Sequence, residues 1–342
     1  MNETGREHNF ELTIKKVFDE IRSQKPKKIA VITHRRPDID AFVSANALRL
    51  ALLHISPDSQ VHVFSEGGVP LKSKRVVEFL NSSLSSDRDL LVDSPWLFFV
   101  DVGGIEATGL PSEFWDSLSG VKILLDHHPN FVHYPYHAEI TEGATSTSEI
   151  ILELYEVLGL PLDGRTATSL MAGLISDSAG LKGANANTVR NLYKLQSKGG
   201  DIRSAWDLVS RKMARDERIA RIKSAQRCAV QRISDLVIVY SEIGSFNASS
   251  ASSLIALGAD LAIVFTETED TTKVSLRASQ EFYEKTGISL GALGVEISKA
   301  LGGYGGGHRM AAAFTVQRGA TETRRFVQQF MIRYLKEREI SP

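Results

Sequence analysis

KIAVITHRRPDIDAFVSANALRLALLH, residues 28–54, decides how the chain folds. KIAVIT is a short apolar run rich in β-branched residues and reads as a buried strand, whereas AFVSANALRLALLH spaces its apolar residues as a helix does. Between them lies HRRPDID, which places His34, Asp38 and Asp40 where the strand ends. A buried strand gains nothing from charge at its tip, because an unpaired carboxylate is costly to desolvate. The same alternation continues through VHVF, LFFVD, VKILLD and a helical pattern in SEIILELYEVLG, as far as about residue 180. Strand and helix in turn are the mark of a mostly parallel sheet covered by helices, so an α/β fold is predicted.

A chain of 342 residues exceeds the usual size of one domain and predicts two. We place a first domain at 1–207, a connecting helix at 208–232 and a smaller α/β domain at 233–342. The connector LVSRKMARDERIARIKSAQRCAVQR has eight Lys or Arg against two acids and no Gly or Pro, with Arg211, Arg215 and Arg218 on one helical face. It reads as a solvated linker or as a basic rim that guides an anion. The strand-like runs LVIVYS, LAIVFTET and KVSLRAS follow, then a glycine-rich stretch and a terminal helix.

The formal net charge is -1, which argues against a protein wrapped on long duplex nucleic acid. Cys228 is the single cysteine, so neither an internal disulfide nor a cysteine-built zinc site is expected, and a reducing, cytoplasmic setting fits. The polar start MNETGREHNFELTIKK has no apolar core of a signal peptide, and no run reaches membrane-span length.

Acids and histidines recur after the apolar segments. Asp101 follows LFFV, with Gly103 and Gly104 close behind; Asp126, His127 and His128 follow VKILL; Asp177 follows SLMAGLIS. One such aspartate is ordinarily a helix cap or a turn residue, and Pro37-Asp38 is a common turn pair. Acids or histidines at the ends of four successive segments are not explained by capping. In a parallel sheet these tips converge on one crevice. So many carboxylates repel one another unless cations neutralise them, and mixed carboxylate and imidazole donors suit Mn²⁺, Fe, Co²⁺ or Zn²⁺ over Ca²⁺. Two such ions about 3.5 to 4 Å apart would activate water and clamp a phosphoryl centre.

A second constellation is GGYGGGHRMAAAF, residues 302–314. It reads either as a hinge or as an anion-binding loop in which the backbone of Gly305, Gly306 and Gly307 joins His308 and Arg309. Arg277, late in a predicted strand, is a further phosphate candidate. Ser146 with Glu149 has the spacing of a capping box ahead of the helix near residue 150. His8, His54, His62, His133 and His137 read as structural or surface residues.

These motifs resemble the DHH phosphoesterase family, whose name-giving triplet stands here as Asp126-His127-His128. GGYGGGHRMAAAF is similar to the signature of that family's associated C-terminal domain, found in RecJ-type exonucleases and in the nano-RNase and oligonucleotide phosphodiesterase branch. The resemblance implies an α/β catalytic domain with a mostly parallel sheet, a smaller α/β C-terminal domain and an active-site cleft between them. It implies two divalent ions, Mn²⁺ foremost with Mg²⁺ or Co²⁺ as alternatives: His34, Asp38 and Asp101 would hold one, and Asp40, Asp101, His127 and Asp177 the other. His128 would contact the scissile phosphate and Asp126 would orient the histidines. Arg277, His308 and the backbone of Gly305 to Gly307 would grip phosphate. Ile39 stands where the family usually has glycine, which removes no ligand. The expected activity is hydrolysis of short single-stranded RNA or DNA oligonucleotides, or linear dinucleotides, to nucleoside monophosphates. Phosphatase action on a 3′,5′-bisphosphate, cleavage of a cyclic dinucleotide, exonuclease action on longer strands and non-catalytic nucleotide binding are the alternatives. The oligomeric state stays open, a homodimer included.

Overall fold

The computed structural model describes residues 3–70, 73–128, 138–140, 144–210 and 213–337. The chain divides into two units, Met1–Arg211 and Lys212–Pro342. His133 and His137 lie outside the described residues.

In the first unit β1 (Lys28–Ile32), β2 (Gln60–Phe64), β3 (Trp96–Val100), β4 (Val121–Leu125) and β5 (Ala138–Ile140) form one parallel sheet in the order β2-β1-β3-β4-β5. Buried on both faces, such strands read as continuous apolar runs, and all of Trp96–Val100 is buried. Their side chains still alternate. Ile29, Val31, Phe98 and Val100 join a core cluster shared with the helices Ile39–Ile55, Thr147–Val157 and Gly164–Asp177. Ala30, Ile32, Leu97 and Phe99 join the cluster on the opposite face, with Ile105 and Trp115. From β1 the chain winds towards β2, and from β3 it winds the other way, through β4 to β5. The order therefore reverses between β1 and β3, and a crevice opens at the carboxyl ends of strands where that happens.

The helix Gly164–Asp177 carries a predicted ligand at its last residue, and its first turn is secured locally. Asp163 accepts hydrogen bonds from the backbone N–H of Arg165 at 2.9 Å and of Thr166 at 3.0 Å. Asp163→Ala removes this cap and should lower stability by about 1 kcal/mol. A shift of the urea midpoint with an unchanged slope would verify it; an unchanged midpoint would show that packing alone fixes the helix.

The second unit is a mixed sheet of β6 (Ala229–Ile233), β7 (Leu236–Glu242), β8 (Leu261–Thr268), β9 (Thr271–Ala278), β10 (Tyr304–His308) and β11 (Ala311–Val316), in the order β10-β11-β9-β8-β7-β6. Only β7 and β8 pair in parallel. Helices Leu290–Ala300 and Ala320–Lys336 share the core of one face. Helices Arg215–Gln226 and Asn247–Ala256 share a smaller cluster with Val239, Ala262 and Val264. Among the described residues no helix is long and apolar enough to cross a membrane.

Two expectations change. The basic stretch 208–232 is not one helix: a helix ends at Val209, another runs Arg215–Gln226, and Ala229–Ile233 is a strand. The tail of the stretch obeys a period of two, and Ser234 (φ 51°) makes a tight turn that pairs Ile233 with Leu236. That hairpin overrides the helical propensity of the region. Arg211, one of the three arginines on the expected face, lies outside the described residues. The glycine-rich stretch is likewise an edge strand, β10, rather than a loop, and the alanines after it form β11.

Candidate metal centre

Four segments deliver the donors. The turn after β1 supplies His34 and Asp38, and Asp40 stands in the first turn of the helix Ile39–Ile55. Asp38 caps that helix, accepting from Ala41 N at 3.1 Å, so the capping role weighed for it is real and coexists with a free carboxylate oxygen. β3 is followed directly by Asp101, which sits in the left-handed region at φ 55° and is tied down by its N–H to Leu125 O at 3.0 Å. Gly103 (φ 61°) and Gly104 (φ 152°) then turn the chain sharply. After β4 come Asp126, His127 and His128, and Asp177 closes the helix Gly164–Asp177.

These side chains form two overlapping groups. Donor atoms of His34, Asp38 and Asp101 lie within 4.8 Å of one another, as do those of Asp40, Asp101, His127 and Asp177. Asp101 is common to both. A third grouping joins Asp101, Asp126, His127 and His128. His127 Nε2 lies 3.4 Å from Asp101 Oδ1 and 3.2 Å from Asp177 Oδ2. It is buried and lacks hydrogen-bond geometry to either. A buried polar atom without a partner, aimed between carboxylates, fits a cation.

The electrostatics agree. Burial, then the charges of Asp101 and Asp177, raise the carboxyl of Asp38 and raise that of Asp40 well above the ordinary range. Burial pulls the His127 imidazole down, but Asp101 and Asp177 outweigh it and raise it to about 10. The protein alone thus holds protons where acids crowd, and divalent ions neutralise the same charge while taking imidazole and carboxylate as ligands.

Asp126 belongs to a different environment. It is fully buried, and its carboxylate accepts from Val102 N at 2.9 Å, Gly103 N at 2.6 Å and His128 N at 3.1 Å, with His128 Nδ1 at 2.6 Å. Burial raises its pKa, but the hydrogen bonds from His128 and Gly103 outweigh this and bring it below the usual value. It therefore orients His128, not both histidines, and pins the turn after Asp101. The half-exposed His128 is raised chiefly by its hydrogen bond to Asp126.

Residues 145–149 behave differently from the capping box expected there. Glu149 accepts from Thr145 Oγ1 at 3.0 Å, and Ser146 makes no side-chain cap. The helix is capped instead by Asp40, which accepts from Thr147 N at 2.7 Å and Ser148 N at 3.1 Å. Ser148 Oγ also donates to Asp40, and Thr147 Oγ1 donates to Asp101 Oδ1 at 2.8 Å. Thr147 and Ser148 thus fix two of the acids, a role that nothing in their spacing announced.

In the second unit, register places Arg277, Ala311 and His308 side by side on β9, β11 and β10. Arg309, in the turn after β10, lies over the Tyr283 ring at 4.9 Å. Gly305 and Gly307 are packing residues: a Cβ on Gly305 would strike Phe314, and one on Gly307 would fall 2.5 Å from Ala312 Cα.

The comparisons with known proteins agree with this architecture. The model of the DHH family, N-terminal domain, matches residues 28–175, and that of the DHHA1 domain matches residues 247–337. The chain belongs to the DHH family. An uncharacterised protein of Methanocaldococcus jannaschii is 27% identical over 290 residues, covering 84% of this chain and 86% of its own. An exopolyphosphatase-related protein from Bacteroides fragilis shares the fold with a TM-score of 0.65 at 19% identity, over 97% of this chain and 98% of that one. The DHH domain of a member of a ribosomal protein family superposes with a TM-score of 0.50 at 10% identity, over 97% and 92% of the two chains. The fold is that of a DHH-family phosphoesterase.

Proposed function

We propose that the chain is a metal-dependent phosphodiesterase that cuts short oligonucleotides or linear dinucleotides to nucleoside monophosphates. The observation that carries this reading is the pair of donor groups sharing Asp101. Two divalent ions, Mn²⁺ by preference, would be held by His34, Asp38 and Asp101, and by Asp40, Asp101, His127 and Asp177. Such ions lower the pKa of water and neutralise charge developing on a phosphoryl group.

The chain's own residues do the rest. Asp126 fixes the His128 ring through Nδ1, which leaves Nε2 to meet a phosphoryl oxygen in one orientation. Thr147 and Ser148 hold Asp101 and Asp40 in place, so the ligands lose little freedom when ions bind. Arg277 and His308 would supply hydrogen-bond donors for a phosphate, the arginine with a permanent charge.

A short substrate is favoured by charge. Long single strands call for an extended basic track, whereas the net charge is -1. On the helix Arg215–Gln226, Arg221 is already engaged, with Ser249 at 2.7 Å and Glu217 at 3.6 Å.

Product analysis tests the proposal, with Mn²⁺ supplied, on a linear dinucleotide, a cyclic dinucleotide, a 3′,5′-bisphosphate and a twenty-nucleotide single strand. Fast release of monophosphates from the linear dinucleotide is expected, lost with a chelator and restored by Mn²⁺. Preference for the long strand would make the protein an exonuclease on polymers. Release of inorganic phosphate from the bisphosphate alone would make it a phosphatase, and silence on all four would leave a nucleotide-binding module.

A further inference from the structure

The edge of the second sheet carries a feature that packing does not explain. Tyr304, the first residue of the edge strand β10, is 76% exposed. Residues two apart on a strand share a face, and directly paired residues of antiparallel strands share one too. Tyr304 pairs with Thr315 and that with Lys273; Gly306 pairs with Ala313 and that with Ser275; His308 pairs with Ala311 and that with Arg277. All nine therefore lie on one surface of β9, β11 and β10. An aromatic ring stands at one end, an arginine and a histidine at the other, and the row between presents Gly306 and Ala313, both exposed.

Gly306 sharpens the point. A Cβ on Gly303, Gly305 or Gly307 would collide with β11, but one on Gly306 would meet nothing within 4 Å. Its φ lies outside the left-handed region as well, so neither packing nor backbone conformation demands glycine there. What glycine does at this position is keep the floor beside Tyr304 flat.

We propose that Tyr304, with Gly306 and Ala313 as floor, is a stacking platform for a nucleobase whose phosphate is held by Arg277 and His308. The inference rests on the nucleotide reading above and names how this site recognises the base. Tyr304 and His308 stand four steps apart along the strand, roughly 13 Å of rise, a span that a base, its ribose and its phosphate fill. Stacking on an aromatic ring tolerates any base, since each has a π face, so the platform recognises the presence of a base and not its identity. Lys273, on the row of Tyr304, adds a cation near the same edge.

The test is calorimetric binding of adenosine 5′-monophosphate and of ribose 5-phosphate to the full chain with Mn²⁺. Wild type should bind the nucleotide about tenfold more tightly than the base-free sugar phosphate. Tyr304→Ala should bring that ratio close to one while leaving ribose 5-phosphate affinity unchanged, Tyr304→Phe should keep the ratio, and Gly306→Val should reduce it by crowding the floor. A ratio that survives in Tyr304→Ala overturns the proposal, as does a wild type that does not favour the nucleotide. Failure of the phosphodiesterase reading shows elsewhere, as wild type that cleaves no dinucleotide, and the binding ratio does not depend on turnover.

Discussion

Asp101→Asn should abolish phosphodiester hydrolysis, lowering kcat by on the order of a thousandfold or more, because it removes the one carboxylate common to both donor groups. Asparagine is the right replacement. Asp101 sits at φ 55°, a conformation that asparagine tolerates and alanine resists. Its side-chain oxygen still accepts from Thr147 Oγ1, so the local fold stays intact. Without metal the variant should stay close to wild type in stability, because the repulsion relieved at Asp38 and Asp40 offsets the attraction lost to His127. Metal should then separate the two proteins. Saturating Mn²⁺ stabilises wild type by mass action, about 2.7 kcal/mol per site at a hundredfold excess over Kd, and the variant should lose most of that shift in Tm. An Asp101→Asn protein that still turns over with a normal Mn²⁺ response would show that Asp101 does not bridge the two groups.

Much of this centre was legible in the sequence, and the reason is topological. A parallel sheet exposes functional residues at the carboxyl ends of its strands, so the apolar runs KIAVI, WLFFV and VKILL announce both the strands and the positions after them. His34, Asp101 and Asp126 to His128 stand out as candidates in that way, and the reversal of order between β1 and β3 brings the first two turns together.

What stayed hidden depends on side chains meeting across long separations. Thr147 and Ser148 look like ordinary helix-start residues, and only the fold brings Asp40, more than a hundred positions earlier, against their backbone N–H groups. Local spacing predicted a capping box from Ser146 and Glu149, but a buried carboxylate that needs donors is the stronger claimant on a helix N-terminus. The basic run 208–232 misled for a related reason. Charge content and the absence of Gly and Pro favour a helix, yet residues 229–233 gain more by pairing with β7 than by extending one. In GGYGGGH the glycines suggested a flexible loop; three of them instead let an edge strand lie close against β11.

Gly173→Ala provides the second large effect, and it runs against the usual rule. Glycine inside a helix ordinarily destabilises it by about 1 kcal/mol relative to alanine, so the substitution would normally help. Here the helix Gly164–Asp177 passes directly under the acid at the start of the helix Ile39–Ile55. A methyl group on Gly173 would fall 2.5 Å from Asp40 Oδ1 and 2.8 Å from Val43 Cγ2, and would collide with Ser148 Oγ. None of these neighbours has room to yield, since Asp40, Val43 and Ser148 are all fully buried. Overpacking of this kind costs about 1 to 3 kcal/mol, enough to reverse the helical gain. Asp40 must also leave the donors that hold it, which misplaces one carboxylate of the group it forms with Asp101, His127 and Asp177. Loss of such support typically weakens metal binding or activity about 10- to 100-fold. Gly173→Ala should therefore lower the urea midpoint and raise the Mn²⁺ concentration needed for half-maximal activity, whereas Gly159→Ala, where a Cβ meets nothing within 4 Å, should leave the Mn²⁺ requirement unchanged. A Gly173→Ala protein with wild-type Mn²⁺ dependence would mean that Asp40 is not a ligand and that its burial serves only to cap the helix Thr147–Val157.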